Sequence, residues 1–237
     1  MNPSSPAHDS DPAMEMTCRL AAYLAHELNN LITPITVCGQ MLKEDQGDPS
    51  SVAFCAEQVA DAGARIQELA KKFQWIGSRR VSAEIINLAE IVPVIVDRIK
   101  AALPQNVGLS TSNKRSGNDG GTFVRLDEEQ VDFLLRELVR NAVEAMPRGG
   151  NVTVDLCPSP VPGHIDLIIK DDGEGMTDQT RARMYEPFFS TRTKVRDRGL
   201  GLTVVYGIVR RAGGTIACES APQSGTRFTL EFPVQPV

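Results

Sequence analysis

Three side chains with nucleophilic, basic or hydrogen-bonding potential stand together in the segment HELNN. His26 lies two positions after the apolar Leu24, about 200 degrees further around a helix, so its ring is expected to project towards water. Glu27 can accept a hydrogen bond from one ring nitrogen and make the other a better nucleophile. Asn30 follows one helical turn later on the same face. The pattern predicts an exposed nucleophilic imidazole, although a lone His-Glu pair on a helix is usually only solvated surface.

Two groups of residues further along the chain suit a nucleotide that carries a metal ion. Glu137 and Asn141 are four residues apart on one predicted helical face, and Mg²⁺ prefers carboxylate and amide oxygens. Asp171 follows a buried apolar run, where ligands collect in layered α/β folds, and its carboxylate could accept the amino proton of adenine. Gly173 and Gly175 would permit a tight turn and the close approach of a ring. Each feature is common, so none of them alone defines a nucleotide site.

A second glycine cluster, Gly199 and Gly201 in the string RGLGL, opens another predicted helix. Free amide groups at the amino terminus of a helix, together with the helix dipole, attract phosphate. The preceding segment 189–198 is predicted to be a lid-like loop. This cluster is again only weakly specific when taken singly.

Two amphipathic helices are predicted to carry the His26 patch. Their apolar residues recur at steps of four and three, close to the 3.5-residue period of a coiled-coil seam. The seams are Leu20, Leu24, Leu28, Leu31, Ile35, Cys38 and Leu42, then Val52, Cys55, Val59, Ala62, Ile66, Leu69, Phe73 and Ile76. Gly47 and Pro49 interrupt the pattern, which predicts an antiparallel hairpin. Pro34 either kinks the first helix or is a tolerated irregularity.

The hairpin is expected to form a homodimer. Each helix buries a stripe but has only one neighbour, so pairing with a second copy as a four-helix bundle covers both seams. A plain dimerisation hairpin without chemistry is the alternative interpretation of the heptads.

The rest of the chain alternates helices and strands, which predicts helices layered over one mixed sheet. The predicted helices are 88–103, 131–143 and 200–212, and the predicted strands are 151–156, 164–170, 215–219 and 227–232, with strand-to-loop material at 108–118. The sequence therefore predicts an α+β protein with a disordered tail (1–14), an all-α hairpin (15–80) and an α/β unit (81–237).

Composition excludes several classes of protein. The chain has 30 acidic against 25 basic residues and no basic stretch, so nucleic acid is not an expected partner. Five cysteines without a CxxC pair indicate neither a disulfide framework nor a zinc site, which fits a reducing cytoplasm. No apolar run approaches the roughly 20 residues that cross a bilayer, and the amino terminus does not resemble a signal peptide, so no membrane insertion is expected.

The order of the motifs is more specific than any of them alone. The strings, in chain order, are HELNN, NAVEAMP, DDGEGM, YEPFFST, GLGLTVVYGIV, GGTI and SGTRFTLEFP. They resemble the successive boxes of the sensor histidine kinase family, over roughly residues 15–235, and are most similar to its nitrogen-regulation and hybrid-kinase branch. The resemblance implies a dimeric hairpin followed by an α/β-sandwich ATP-binding domain of the type shared by DNA gyrase, a heat-shock chaperone and histidine kinases.

The resemblance also implies roles for individual residues. His26 would be the phosphoacceptor, Glu27 its activating carboxylate, and Asn30 the residue that positions water for dephosphorylating a partner. Asn141, with Glu137 nearby, would hold Mg²⁺. The implied ATP-binding set is Glu137, Asn141, Asp171, Gly173, Gly175, Arg192, Lys194, Arg198, Gly199, Leu200, Gly201 and Thr226.

One departure from the family pattern concerns Asp197 and Arg198, which stand where relatives usually carry glycine and a small hydroxyl residue. A carboxylate near three phosphates could weaken or regulate ATP binding, although neighbouring basic residues offset its charge. Two other functions are compatible with the sequence. The fold also occurs in chaperone-like and repair-like ATPases, in which Glu137 would be the base that activates water. A non-catalytic scaffold dimer that has lost its ATP site is the second alternative, and Asp197 is its only support.

The function that we expect is that of an ATP:protein-histidine phosphotransferase with ATP and Mg²⁺ as cofactors. A response regulator receiver domain would accept the phosphoryl group from His26. Input would come from a separate sensory protein or from a region outside this sequence. The stimulus, the cognate regulator and the choice between phosphorylation within and between subunits stay open.

Overall fold

The computed structural model divides the chain into two compact units, Met1–Phe73 and Gln74–Val237. The residues that it describes are 12–44, 48–77, 84–114, 121–191 and 199–236. Most of the predicted amino-terminal tail and the predicted boundary near residue 80 lie outside these ranges.

The first unit contains two long helices, α1 (Pro12–Glu44) and α2 (Pro49–Gly77). Helix α1 remains helical on both sides of Pro34. Asp48 begins α2: its carboxylate accepts hydrogen bonds from the side chains and amides of Ser50 and Ser51, which lower the pKa of Asp48 to about 2. This acidic cap explains where the second helix starts.

The predicted seams are only partly buried within the single hairpin. The buried seam residues are Leu31, Cys38, Cys55, Ala62 and Leu69. Other apolar residues of the two helices, within the predicted seams or beside them, are exposed: Ile32, Val37, Met41, Leu42, Val52, Phe54 and Val59. The hairpin therefore leaves apolar surface uncovered.

The second unit is built on a five-stranded mixed sheet, as the sequence predicts. The strands are β2 (Val107–Asn113), β4 (Gly150–Pro158), β5 (His164–Asp171), β6 (Thr215–Ser220) and β7 (Thr226–Pro233), and a small separate pair is formed by β1 (Ile86–Asn87) and β3 (Phe123–Val124). The order across the sheet is β2-β4-β5-β7-β6, in which β2 and β4 are parallel and all other neighbours are antiparallel.

Helices α3 (Leu88–Lys100), α4 (Glu128–Glu144) and α6 (Gly201–Arg211) form the second layer, with the short α5 (Asp178–Arg183) beside them. Alternate residues of the central strands are fully buried in the core shared with these helices, for example Leu167 and Leu230. A capping box in which Asp127 and Gln130 bond each other's backbone amides starts α4. The sequence did not predict β1, β3 or α5.

Candidate functional site

The first group of candidate residues lies on α1. His26 and Asn30 are exposed and Glu27 is half-buried. The patch is accessible, as its sequence predicts, and the roles of its three side chains stay predictions.

The second group surrounds a cavity of about 470 Å³ in the second unit, a size typical of small-molecule sites. Seven of the predicted nucleotide residues line it: Glu137, Asn141, Asp171, Gly175, Gly199, Gly201 and Thr226. Gly173 and Leu200 are chain neighbours of lining residues, whereas Arg192, Lys194, Asp197 and Arg198 lie outside the described residues. Residues far apart in sequence thus meet at one cavity.

Asp171 ends strand β5 with its carboxylate in the cavity wall, and only 6% of the residue is exposed. Its Oδ1 accepts hydrogen bonds from the amides of Gly173 (2.9 Å) and Thr226 (3.1 Å). Burial raises the pKa of Asp171, and the two amides oppose this shift. A Cβ at Gly173 would lie 2.8 Å from the carbonyl oxygen of Ala145, so glycine is needed there. Both amides bond the same oxygen, so the Asp171 carboxylate is held in place in the cavity wall.

Two loops that meet beside Asp171 are joined by hydrogen bonds. The amide of Gly225 donates to the carbonyl of Gly173 (3.0 Å), and the amide of Gln223 donates to the carbonyl of Glu174 (2.6 Å). Ser220 accepts from the amide of Met176 (2.8 Å) and donates to the carbonyl of Gly225 (3.0 Å). Sequence reasoning missed Ser220, because no local pattern distinguishes this serine from other residues at a strand end.

Another part of the cavity wall is the amino terminus of α6. Leu200 is the N-cap residue and makes no side-chain capping bond, so the first amides of the helix are left for another acceptor. Gly199 has φ +67°, and a Cβ there would lie 2.5 Å from the carbonyl oxygen of Phe189. The second glycine cluster therefore permits both the left-handed turn and the close packing that start α6.

Glu137 lies directly beneath this helix terminus and is 3% exposed. Its Oε2 pairs with Nη2 of Arg140, and a Cβ at Gly201 would overlap with the same carboxylate. Glu137 is thus engaged by a cation, while the neighbouring Asn141 is half-buried and lines the cavity.

The donor set fits a magnesium ion that is carried by a nucleotide. Among the residues that the structure describes, no three His, Cys, Asp or Glu side chains are grouped to hold a metal ion by themselves. Mg²⁺ bound with nucleotide phosphates, however, usually takes only one or two protein ligands and keeps several waters. Asn141 is the better candidate ligand of the predicted pair, because one oxygen of Glu137 already binds Arg140.

Several cavity residues were missing from the predicted set. Arg140 and Glu144 lie three and seven residues after Glu137, so helical periodicity could have placed them on the same face. Thr177 and Thr180 also line the cavity, and they were missed because they lie at the start of α5, a helix that the sequence did not predict.

Comparison with known proteins defines the class of the second unit. Residues 126–236 match the family described as histidine kinase-, DNA gyrase B- and HSP90-like ATPases. Sporulation kinase A of Bacillus subtilis (strain 168) is 28% identical over 219 residues, which cover 91% of this chain and 34% of that protein. The sensor histidine kinase ZraS of Klebsiella oxytoca is 29% identical, covering 91% of this chain and 46% of that protein.

A solved structure is similar in fold to both units of the chain. Histidine kinase ThkA, in complex with the response regulator protein TrrA, matches with a TM-score of 0.62 and 20% identity, covering 94% of this chain and 64% of that chain. The second unit is an ATP-binding domain of the kinase, gyrase and chaperone type.

The second unit belongs to the family of histidine kinase-, DNA gyrase B- and HSP90-like ATPases, and the chain is similar to sensor histidine kinases over about nine tenths of its length. It spans about a third to a half of the length of the two curated relatives above. Within the described ranges, no helix is long and apolar enough to cross a membrane. The narrower assignment to the nitrogen-regulation and hybrid-kinase branch stays a prediction.

Proposed function

We propose that this chain uses ATP to phosphorylate His26 and passes the phosphoryl group to an aspartate of a response regulator. The observation that carries the proposal is the cavity with a buried carboxylate, Asp171, at one part and the uncapped amino terminus of α6 at another. A carboxylate suits the amino group of adenine, and free helix amides suit phosphate. The exposed imidazole on α1 supplies the acceptor.

In this proposal the nucleotide spans the cavity, with adenine at Asp171, phosphates at Gly199–Gly201 and Asn141 as the ligand of Mg²⁺. The metal ion neutralises negative charge on the phosphates. A nitrogen of His26 forms the new bond to phosphorus, the bond to the oxygen of ADP breaks, and the proton on the other ring nitrogen passes to Glu27 or to water. Asn30 then orients the water that hydrolyses the regulator's aspartyl phosphate.

The proposed assembly is a homodimer that meets a receiver domain. Exposed apolar side chains along the hairpin, such as Val52 and Phe54, favour pairing with a second copy. The crystallised complex of ThkA with TrrA supports a response regulator as the partner. We place the reaction in the cytoplasm, where ATP is supplied and the five free thiols would stay reduced, and assign the input to a separate sensory protein or region.

The alternative role of Glu137 as a base that activates water is disfavoured. A base that activates water must offer a carboxylate oxygen to that water, whereas Oε2 of Glu137 is held by the guanidinium of Arg140. The pairing of Glu137 with Arg140 therefore supports phosphotransfer over the ATPase interpretation.

The decisive experiment incubates the protein with γ-labelled ATP and Mg²⁺. Label in an acid-labile, base-stable linkage is expected, and His26→Ala should abolish it while ATP binding stays unchanged. His164→Ala is the control, because His164 is a surface residue at the start of β5 whose ring bonds the carbonyl of Pro162. Label that persists after His26→Ala would overturn the assignment.

A further inference from the structure

The described wall of the cavity carries an excess of negative charge. Four of its side chains are carboxylates, those of Glu137, Glu144, Asp171 and Glu174, and among the described lining residues only Arg140 is a cation. Each phosphate that enters this wall meets repulsion from the carboxylates, which is largest where water is excluded. A nucleotide site with these side chains therefore needs a positively charged side chain close to the phosphates.

Arg140 lies at the place where the phosphates would bind. Its Nη2 pairs with Oε2 of Glu137, and its Nε is 4.0 Å from Oε1 of Glu144. A Cβ built at Gly201 would lie 3.4 Å from the same Nη2, so one end of the guanidinium is beside the amino terminus of α6. The cation and the free helix amides therefore share one corner of the cavity.

The exposure of the two partners differs in a way that suits a ligand contact. The Glu137 side chain is 4% exposed and the Arg140 side chain 34% exposed. A buried carboxylate needs a cation or several donors to be tolerated, and Glu137 receives this from Arg140. A guanidinium has five N–H groups in a planar fork, so one edge can bind a carboxylate while another donates hydrogen bonds to a phosphate.

We propose that Arg140 is a phosphate-contacting residue of the nucleotide site, and that Glu137 and Glu144 are positioning residues that hold its guanidinium at the start of α6. This assignment rests on the proposed nucleotide site. In addition, it makes the guanidinium of Arg140 the group that distinguishes a nucleoside di- or triphosphate from a nucleoside. It also gives Glu137 a role other than that of metal ligand or base.

The test measures the affinity of ATP, ADP and adenosine by titration calorimetry with Mg²⁺ present. Arg140→Ala should weaken ATP and ADP by about 10- to 150-fold, the range for a hydrogen bond to a charged group, and change adenosine affinity less than threefold. Arg140→Lys, which keeps the charge but not the fork, should give an intermediate loss for ATP. Arg136→Ala is the matched control, since Arg136 lies one turn earlier on α4 and pairs with Asp132 at 2.6 Å.

A second variant removes the danger that an unpaired buried Glu137 unfolds the protein. The double substitution Glu137→Gln with Arg140→Gln removes both charges and should still weaken ATP more than adenosine. Equal losses for ATP and adenosine would make Arg140 a support of the pocket and overturn the proposal, as would no loss for any ligand. If Asp171→Asn leaves the ATP affinity of the otherwise unchanged protein intact, the proposed nucleotide site fails instead, so the two failures are distinguishable.

Discussion

The hairpin and the nucleotide-binding unit bury their apolar residues to different extents. Phe232, in a central strand of the sheet, is 0% exposed, whereas Phe54 on α2 is 52% exposed. The sheet and its helices enclose a continuous core, while the hairpin exposes apolar side chains and the imidazole of His26. One unit therefore builds its cavity within a closed core, whereas the other leaves apolar side chains exposed.

The largest expected effect comes from a matched pair of phenylalanine substitutions, one in each unit, whose consequences for stability and dimerisation should differ. Phe232→Ala should lower the free energy of unfolding of the nucleotide unit by about 3 to 5 kcal/mol, because it leaves a cavity in a closed core. Phe54→Ala should leave that unit's stability unchanged and weaken dimerisation, because its ring is free to pack against a second copy. Thermal unfolding and analytical ultracentrifugation measure the two outcomes. A dimer as strong with Phe54→Ala as without it would place the interface elsewhere.

The second prediction concerns the internally built site. Asp171→Asn should weaken ATP binding by about 1.5 to 3 kcal/mol, the range for a hydrogen bond to a charged group, and GTP binding much less. Guanine presents an acceptor where adenine presents an amino donor. Asp172→Asn is the control, because the exposed Asp172 bonds Asn151 and does not line the cavity. Equal losses for the two nucleotides would show that Asp171 does not recognise the base.

The pH dependence gives an independent check on Asp171. Burial raises the pKa of this carboxyl, so its protonated form is favoured in the folded protein. The contribution of Asp171 to stability is therefore present at low pH and is lost as pH rises through the raised pKa. The affinity for ATP should depend on pH in the opposite direction, because recognition of adenine needs the ionised carboxylate. Affinity should fall as pH drops through a value above the usual one near 3.9, and Asp171→Asn should remove this dependence.

The sequence predicted the mixed sheet and its three long helices because apolar periodicity or a continuous apolar run marks most of these elements. It also predicted that Asp171 and Thr226 belong to one site, through their motifs. It did not predict that the amide of Thr226 bonds the Asp171 carboxylate, because that bond joins β5 and β7 across 55 residues. Short elements such as α5 carry too few residues for periodicity. Arg140 was missed because a charged residue on a helix is ordinarily solvated surface.

The smallest expected effect tests whether the exposed unit carries a second activity. Asn30 lies one turn from His26 and is exposed on α1. A neutral amide can orient water at an acyl phosphate docked on the helix, yet it has no proton to give or take when His26 attacks ATP. Asn30→Ala should therefore leave labelling of His26 within a few-fold of the unmodified protein. It should slow dephosphorylation of the regulator by about an order of magnitude, the scale expected when a positioned water is lost.

The neighbouring Asn29 provides the control for this substitution. Asn29 is also exposed on α1, but its side chain points about 100 degrees away from that of Asn30. Its carbonyl oxygen accepts a hydrogen bond from the hydroxyl of Thr33 (2.7 Å), a backbone contact that Asn29→Ala preserves. Asn29→Ala should leave both rates unchanged if position on the helix is what matters. If the regulator's phosphate decays equally fast with Asn30→Ala and with the unmodified protein, the hairpin serves phosphoryl transfer alone, and its exposed face has one chemical role instead of two.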